Sequence, residues 1–548
     1  MTRISGWNPR ARRADRAGLR WVVVPAVVIA LGCAPTHDLR IDVPGYPPCS
    51  PGAGGDLGTS APAEIAVTID LEDTRQEMLG FGASDCWSIQ FVGRWPLEKR
   101  EAIADLLFDT GLDENRHPRG AGLSVWRFNI GAGSSRQEHI SRVWRRSDTF
   151  LDDDFNGYDW SRLPGQRWFL HAARERGVER FVAFVNSPPI HMTKNGKAYC
   201  DATTGSTNLG DGMEDDFAAY LAGIVAHFRD VEGIGLGVLS PFNEPQWDWE
   251  AGTQEGCRYS IADMKRVIDA LAQEPDLGNT EIEIPESGTI LDIGAGEKYL
   301  QAFFDTESAS FSGDRVAPRL ASHSYKTDLP ATGLVDRRLE LRAALDRYPG
   351  VQYAMTEFCP LGKHGHGRDL GMDTALLVAR VMHFDLVVAG AATWQWWLAV
   401  SPYDYKDGLV YIDRNFDDGD FSASKLLWAM GNYSRFVRPG MVRLDVRRSD
   451  DATHGDTVEE LMVSSYLDRD RGIVATVFIN WTGESAPVSL AVEGGVVNGW
   501  IPYVTSSESD LDASSEVPSD TAVLLPARSV VTLVGQVEES TDELKKGA

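Results

Sequence analysis

The chain has 548 residues, 43% of them apolar and 24% charged, with a formal net charge of −27. That length is more than one ordinary domain needs, and the composition is that of a globular protein with ample apolar chain for a core. The excess of negative charge excludes nucleic acid as a partner, because phosphates would be repelled. It suits an exported protein acting on a neutral or weakly charged substrate.

In chain order, the first feature is basic. Arg3, Arg10, Arg12, Arg13, Arg16 and Arg20 face only Asp15, and an apolar run from Trp21 to Leu31 follows. Eleven apolar residues are too few to cross about 30 Å of hydrocarbon, so residues 1–33 read as an export signal. Ala30-Leu31-Gly32-Cys33 resembles a bacterial lipoprotein box, with Cys33 as the lipidation candidate. An ordinary cleaved signal is the alternative, and Pro35 is poor context for it. Residues 34–62 are Pro/Gly/Ser-rich without periodicity and read as a tether.

Ile65–Leu71 alternates like a strand, and residues 63–78 are assigned to a terminal sandwich. From 79 to 436, eight short apolar runs alternate with amphipathic helical patterns. The runs are Leu79–Ala83, Leu123–Asn129, Phe181–Asn186, Val238–Asn243, Glu281–Pro285, Leu320–Ser324, Gln352–Thr356 and Ala391–Trp396. This alternation predicts an α/β fold, a (β/α)8 TIM barrel. An open doubly wound sheet fits less well, because Gly80-Phe81-Gly82 is not followed by the third glycine and helix of a phosphate-binding turn. Between 437 and 537 short alternating strands predict an appended antiparallel β-sandwich. Residues 538–548 form a charged tail.

In a barrel the reactive groups sit where strands end. The fourth run ends at Asn243-Glu244 and the seventh at Thr356-Glu357. Two carboxylates about 5–5.5 Å apart across the mouth suit glycoside hydrolysis with retention, one as nucleophile and one as acid/base. Pro245 predicts an extended Glu244. Trp247 and Trp249 follow at once, and Trp394, Trp396 and Trp397 crowd the eighth run. Indole faces beside paired carboxylates favour carbohydrate, since sugar rings present C–H faces for stacking.

Seven motifs in order carry a family resemblance: GFGASDCW (Gly80–Trp87), WRFNIGAGS (Trp126–Ser134), NSPP (Asn186–Pro189), SPFNEPQWDW (Ser240–Trp249), HSY (His323–Tyr325), MTEFC (Met355–Cys359) and WQWW (Trp394–Trp397). Together they resemble glycoside hydrolase family 30, in its endo-β-1,6-galactanase-like branch, over roughly residues 64 to 535. The resemblance implies a retaining β-glycosidase with Glu244 as acid/base and Glu357 as nucleophile. It implies that Asn243 binds the sugar 2-hydroxyl and that Arg127 keeps the nucleophile ionised. His323 and Tyr325 would line the cleft floor, with Trp394 as the platform under the cleaved sugar, Trp247 at the sugar site, and Asp85 as a hydroxyl ligand. The expected substrate is a β-linked polysaccharide, first β-1,6-galactan, then β-1,6-glucan, glucuronoxylan or a glucosylceramide-like glycoside. A glycan-binding lipoprotein without catalysis is the reading from another class.

No cofactor is expected, and a monomer is, with membrane contact only through a lipid on Cys33. Lys363-His364-Gly365-His366 lacks a carboxylate at metal spacing. Asp413–Gly419 places its glycine one position late for a calcium loop and has Ser424 at the twelfth position, so no metal is assigned. Without Cys33 the cysteines number five, an odd count. Cys200 and Cys257, both in Gly/Thr-rich loop sequence, are the disulfide candidate.

Overall fold

The computed structural model describes residues 64–538 except 115–116, 292–297 and 306–314. The export signal with Cys33, the tether and residues 539–548 of the charged tail lie outside the described residues.

The chain enters through β1 (Ile65–Glu77), which pairs antiparallel with β12 (Val442–Arg448) and parallel with β15 (Ala486–Glu493). It then winds a barrel of eight parallel strands: β2 (Gly80–Ser84), β3 (Val125–Asn129), β4 (Arg180–Phe184), β5 (Val238–Ser240), β6 (Glu281–Ser287), β7 (Val316–His323), β8 (Gln352–Glu357) and β9 (Ala391–Ser401). The barrel closes because β9 pairs with both β8 and β2. Each of β2, β3, β5 and β9 is buried along its whole length. Such burial is expected where helices cover the outside and side chains fill the inside. Those helices include Leu97–Phe108, Pro164–Glu175, Glu214–His227, Ile261–Gln273, Ala331–Leu345 and Met372–Phe384. Pro164 stands in the first turn of its helix, where its missing N–H costs nothing.

After the barrel, β10 (Gly408–Ile412) and β11 (Phe421–Ala423) extend the sheet beyond β9. The second sheet holds β12, β13 (Leu461–Asp468), β14 (Ile473–Asn480), β15, β16 (Val496–Thr505), β17 (Asp510–Ala513), β18 (Val517–Pro518), β19 (Val523–Leu525) and β20 (Ser529–Glu538), mostly antiparallel, with β1 between β12 and β15. Its own core gathers Val67, Ile69, Leu444, Phe478, Trp500 and Leu533.

One strand is shorter than its apolar pattern. The fourth run was expected to reach Asn243, but β5 stops at Ser240. Pro241 has no N–H to give the ladder, so Asn243 and Glu244 stand in the turn beyond the strand. Glu244 is not extended, as Pro245 suggested, but left-handed, with φ 46°. The turn is pinned because the Glu244 N–H donates to the Glu286 carbonyl at 2.8 Å.

Candidate active site

Three glutamates from the ends of β5, β6 and β8 meet under the barrel mouth. Glu244 follows β5, Glu357 ends β8, and Glu286 lies near the end of β6. Glu286 is left-handed too, φ 57°. Two left-handed non-glycine residues side by side are backbone strain concentrated at one place, which the surrounding packing must hold.

His323, at the end of β7, joins them. Its Nδ1 lies 3.0 Å from Glu244 Oε1 and its Nε2 3.1 Å from Glu286 Oε2. Burial alone would lower its pKa, but Glu357, Glu244 and Glu286 outweigh it and raise the group to about 9. The ring is therefore a cation at neutral pH, donating from both nitrogens. Arg127, from β3, is equally buried. Its Nη1 donates to Glu357 Oε2 at 2.6 Å, its Nη2 to Asn243 Oδ1 at 3.3 Å, and its Nη2 lies 3.5 Å from Glu286 Oε2. The guanidinium sits 3.7 Å from the centre of the Phe184 ring. The Tyr325 hydroxyl donates to Glu357 Oε1 at 2.8 Å, so both oxygens of Glu357 are held.

The electrostatics separate these carboxyls. Burial, then the charge of Glu357, raise the pKa of Glu244 against the opposing pull of His323 and Arg127. Burial pushes Glu286 the same way, yet Arg127, His323 and the Ser240 hydroxyl bring it down to about 2. Glu286 is therefore a fixed anion, and Glu244 is the carboxyl poised to carry a proton.

One oxygen of Glu244, one of Glu357 and one nitrogen of His323 lie within 4.8 Å of one another. That is a possible metal triad by distance alone. A protonated imidazole with both N–H groups engaged offers no lone pair, so hydrogen bonding describes the cluster better than ligation. A cavity of about 570 Å³ opens above it, lined in part by Asn243, Glu244, Trp247, Tyr325, Glu357 and Trp397. Lys326 caps Trp247, its Nζ 3.9 Å from the ring centre.

The family model "O-Glycosyl hydrolase family 30" matches residues 64–411, a span that contains every group just described. The chain belongs to O-glycosyl hydrolase family 30. An endo-beta-1,6-galactanase of Hypocrea rufa is 26% identical over 285 residues, 48% of this chain and 56% of that protein. A glucuronoxylanase of Bacillus subtilis is 25% identical over 333 residues, 58% of this chain and 66% of that protein. The family-30 chain thus spans little more than half to two thirds of these curated relatives. The crystal structure of a conserved exported protein from Bacteroides fragilis is 33% identical, with a TM-score of 0.79, covering 86% of this chain and all of that one.

Within this family-30 site, Glu244, Glu357, Asn243, Arg127, His323, Tyr325 and Trp247 come together. His323 lies beneath the floor as a fully buried link between carboxylates, not as a lining residue. Trp394 is a correction. It is fully buried, its N–H donates to Asp385 Oδ2 at 2.9 Å, and it is not among the cavity's lining residues. Side chains alternate along a strand, so Trp394 and Trp396 point away while Trp397 reaches the cavity. Asp85 is the second correction. Its oxygens are used inside the protein, by the Asn129 N–H at 2.8 Å and the Gln166 amide at 2.8 Å. Burial raises its pKa to about 7. Asp85 is fully buried and does not line the cavity, so it meets no sugar there.

The disulfide assigned to Cys200 and Cys257 is not formed; both are buried free thiols. The Cys257 thiol donates to the Arg258 carbonyl at 3.4 Å, and the Arg258 N–H donates to the Cys200 sulfur at 3.4 Å. Sequence reasoning missed Glu286. The run EIEIPES carries its third glutamate on the strand end, and that position was the available signal. It also missed Gly288, where a Cβ would fall 2.3 Å from Trp247 Nε1 and 2.8 Å from Glu244 Oε1.

Proposed function

We propose that the protein is a retaining endo-β-glycosidase acting on a β-linked polysaccharide, with β-1,6-galactan as the leading substrate. The observation that carries this reading is the Glu244–Glu357 pair. Oxygens within 4.8 Å of each other suit direct attack by one carboxylate, whereas inversion needs about 6.5–9.5 Å to admit a water between them.

In the first step Glu357, held by Arg127 and Tyr325, attacks the anomeric carbon and forms a glycosyl ester. Glu244 gives its proton to the departing glycosidic oxygen. In the second step Glu244, now anionic, takes a proton from water, and the resulting hydroxide displaces Glu357. His323 fits both halves: as a cation it stabilises Glu244 once the proton has gone. Asn243, tied to Arg127 through its Oδ1, keeps its amide N–H groups for the sugar 2-hydroxyl. Trp247 and Trp397 supply faces for the ring. The galactan preference leans on the Hypocrea relative, and a β-1,6-glucan or glucuronoxylan substrate is the second reading within the family. We further propose export as a lipoprotein through Cys33, which Triton X-114 partitioning of wild type against Cys33→Ser tests directly: identical aqueous partitioning of both as mature protein would exclude the anchor.

The deciding experiment incubates the full chain with β-1,6-galactan, β-1,6-glucan and glucuronoxylan and sizes the products. Release of oligomers from one polymer is expected, and Glu357→Gln should abolish it. Glu244→Ala should keep the first step on aryl glycosides, and added azide should yield a β-glycosyl azide. An α-azide product would contradict the assigned roles. Binding of polysaccharide without release of reducing ends would favour a glycan-binding protein instead.

A further inference from the structure

Arg142, Arg145 and Arg414 form an arginine wall on the cavity, and Trp247, Trp249 and Gln254 line it from the segment after β5. The two meet where Arg145 Nη1 donates to Gln254 Oε1 at 3.0 Å. The next residue, Glu255, does not reach the cavity and is fully buried. Its carboxylate accepts the Ala132 N–H at 3.1 Å, the Ser134 N–H at 3.3 Å and the Ser134 hydroxyl at 2.6 Å, all from the loop after β3. Ser134 Oγ in turn accepts the Ser147 N–H at 3.0 Å. The Ala132 carbonyl accepts the Ile190 N–H at 3.0 Å, from the loop after β4. One carboxylate thus ties together the loops that follow three consecutive barrel strands.

Among the described residues no cation pairs with Glu255, and burial raises its pKa to about 7. A buried carboxyl without a counter-charge is destabilising unless its hydrogen bonds offset the lost water, so its bonds to the β3 loop must be kept intact. What they secure lies one residue on. Gly256 sits directly against Trp249: a Cβ there would fall 2.2 Å from Trp249 Cδ2. The Trp249 indole N–H donates to the Glu244 carbonyl at 3.0 Å, and the Trp247 N–H reaches the same oxygen at 3.1 Å. Glu244 and Trp249 are both left-handed, with φ 46° and 53°. Non-glycine residues keep that backbone state only where their surroundings impose it. A line of contact therefore runs from Glu255 through Gly256 and Trp249 to the backbone of Glu244.

We propose that Glu255 is a positioning residue for the proton donor. By locking residues 254–256 to the loop after β3 it sets Gly256 against Trp249. The Trp249 N–H then holds the Glu244 backbone in the orientation that carries its carboxyl to the departing oxygen. A well-placed proton donor is worth roughly 10²–10⁴-fold in rate, and about 1 Å of displacement removes much of that. The proposal rests on reading Glu244 as the acid/base and adds what aims it.

The test measures kcat/KM, which reports the first chemical step, on 2,4-dinitrophenyl and phenyl β-glycosides of β-1,6-galactobiose. Dinitrophenolate leaves without a proton, whereas phenolate needs one. The full chain is compared with Glu255→Gln, with Ser134→Ala, which loosens the clamp from its far end, and with Trp249→Phe, which cuts the last link. Each variant should lose about tenfold on the phenyl glycoside and less than about twofold on the dinitrophenyl one. Ser134→Ala leaves the buried carboxylate in place and carries the test if Glu255→Gln does not fold. Equal losses on both glycosides, or wild-type rates on both, overturn the proposal. Hydrogen exchange read by mass spectrometry needs no turnover. In Ser134→Ala the peptide covering residues 243–250 should exchange several-fold faster, and loss of protection confined to residues 130–135 overturns the proposal. Glu244→Ala, run beside them, separates the two levels. If it shows no leaving-group split, the acid/base reading falls and the positioning role with it. If it shows the split and the clamp variants do not, only the positioning role falls.

Discussion

The floor of the cleft and its arginine wall use the same kind of side chain in opposite ways. On the floor Arg127 is fully buried and meets Glu357, Asn243 and Glu286. On the wall Arg142 and Arg414 are exposed and find no carboxylate among the described residues. A buried charge stripped of its partner is expensive, so the floor has one stable arrangement. Exposed charges stay solvated at little cost. Changes to the floor should therefore damage turnover and stability together, while changes to the wall should leave both almost alone on a neutral substrate.

The sharpest break is Glu286→Gln. It removes the anion that Arg127, His323, Ser240 and Thr356 all address. Stability should fall by roughly 3–5 kcal/mol, the cost of breaking a buried charge pair. kcat should drop with it, by denaturant melts and assays on an aryl glycoside. Wild-type stability in this variant would mean that Glu286 is not holding the floor. Next in size is Gly288→Ala. The added carbon must displace Trp247 or Glu244, and a shift of about 1 Å can cost 10²-fold in rate. Unchanged kcat would show that the turn yields without moving Glu244.

A smaller effect separates two neighbours on β9. Trp394→Phe loses the bond to Asp385 and should cost about 1–3 kcal/mol of stability, the penalty for a buried acceptor left short of a donor, with KM unchanged. Trp397→Ala should raise KM on oligosaccharides several-fold. The reverse pattern would place Trp394 in the sugar site after all.

The smallest and most continuous effect is pH dependence. His323 titrates at about 9 in the fold against an ordinary 6.5. A raised folded pKa gives stability that is complete below 6.5 and lost as pH climbs through 9. Glu286 is lowered from 4.5 to about 2, so its contribution is present above pH 4.5 and lost as pH falls toward 2. Unfolding free energy should therefore decline between pH 6.5 and 9, by an amount on the order of 1–3 kcal/mol, seen as a falling thermal midpoint, and His323→Asn should flatten that decline. A profile already flat in the wild type over this window would rule out the cationic His323. Activity should also fall on the alkaline side, as Glu244, whose pKa is raised, gives up the proton the leaving group needs.

Much of this was legible in order and spacing. Eight apolar runs separated by helical patterns allow few arrangements other than a closed parallel barrel, because each run must be covered on both faces. Glutamates at the ends of the fourth and seventh runs are local facts, readable without knowing what lies opposite. The family motifs added the expectation that those two act as a pair.

Tertiary structure alone decided what each of the other polar groups faces. Glu286 drew no reading from the sequence, and its role follows from β7 and β3 bringing His323 and Arg127 against it. Trp394 and Trp397, three positions apart, take opposite faces of a strand, and the placement of β9 between β8 and β2 decides which one meets Asp385 and which the cavity. Asp85 has the look of a ligand in a polar stretch, yet Gln166, from a distant helix, consumes it. Sequence determines which groups exist and their period along the chain. Which of them are left unsatisfied, and so free to meet a substrate, depends on partners tens to hundreds of residues away that the barrel's closure brings within hydrogen-bond reach.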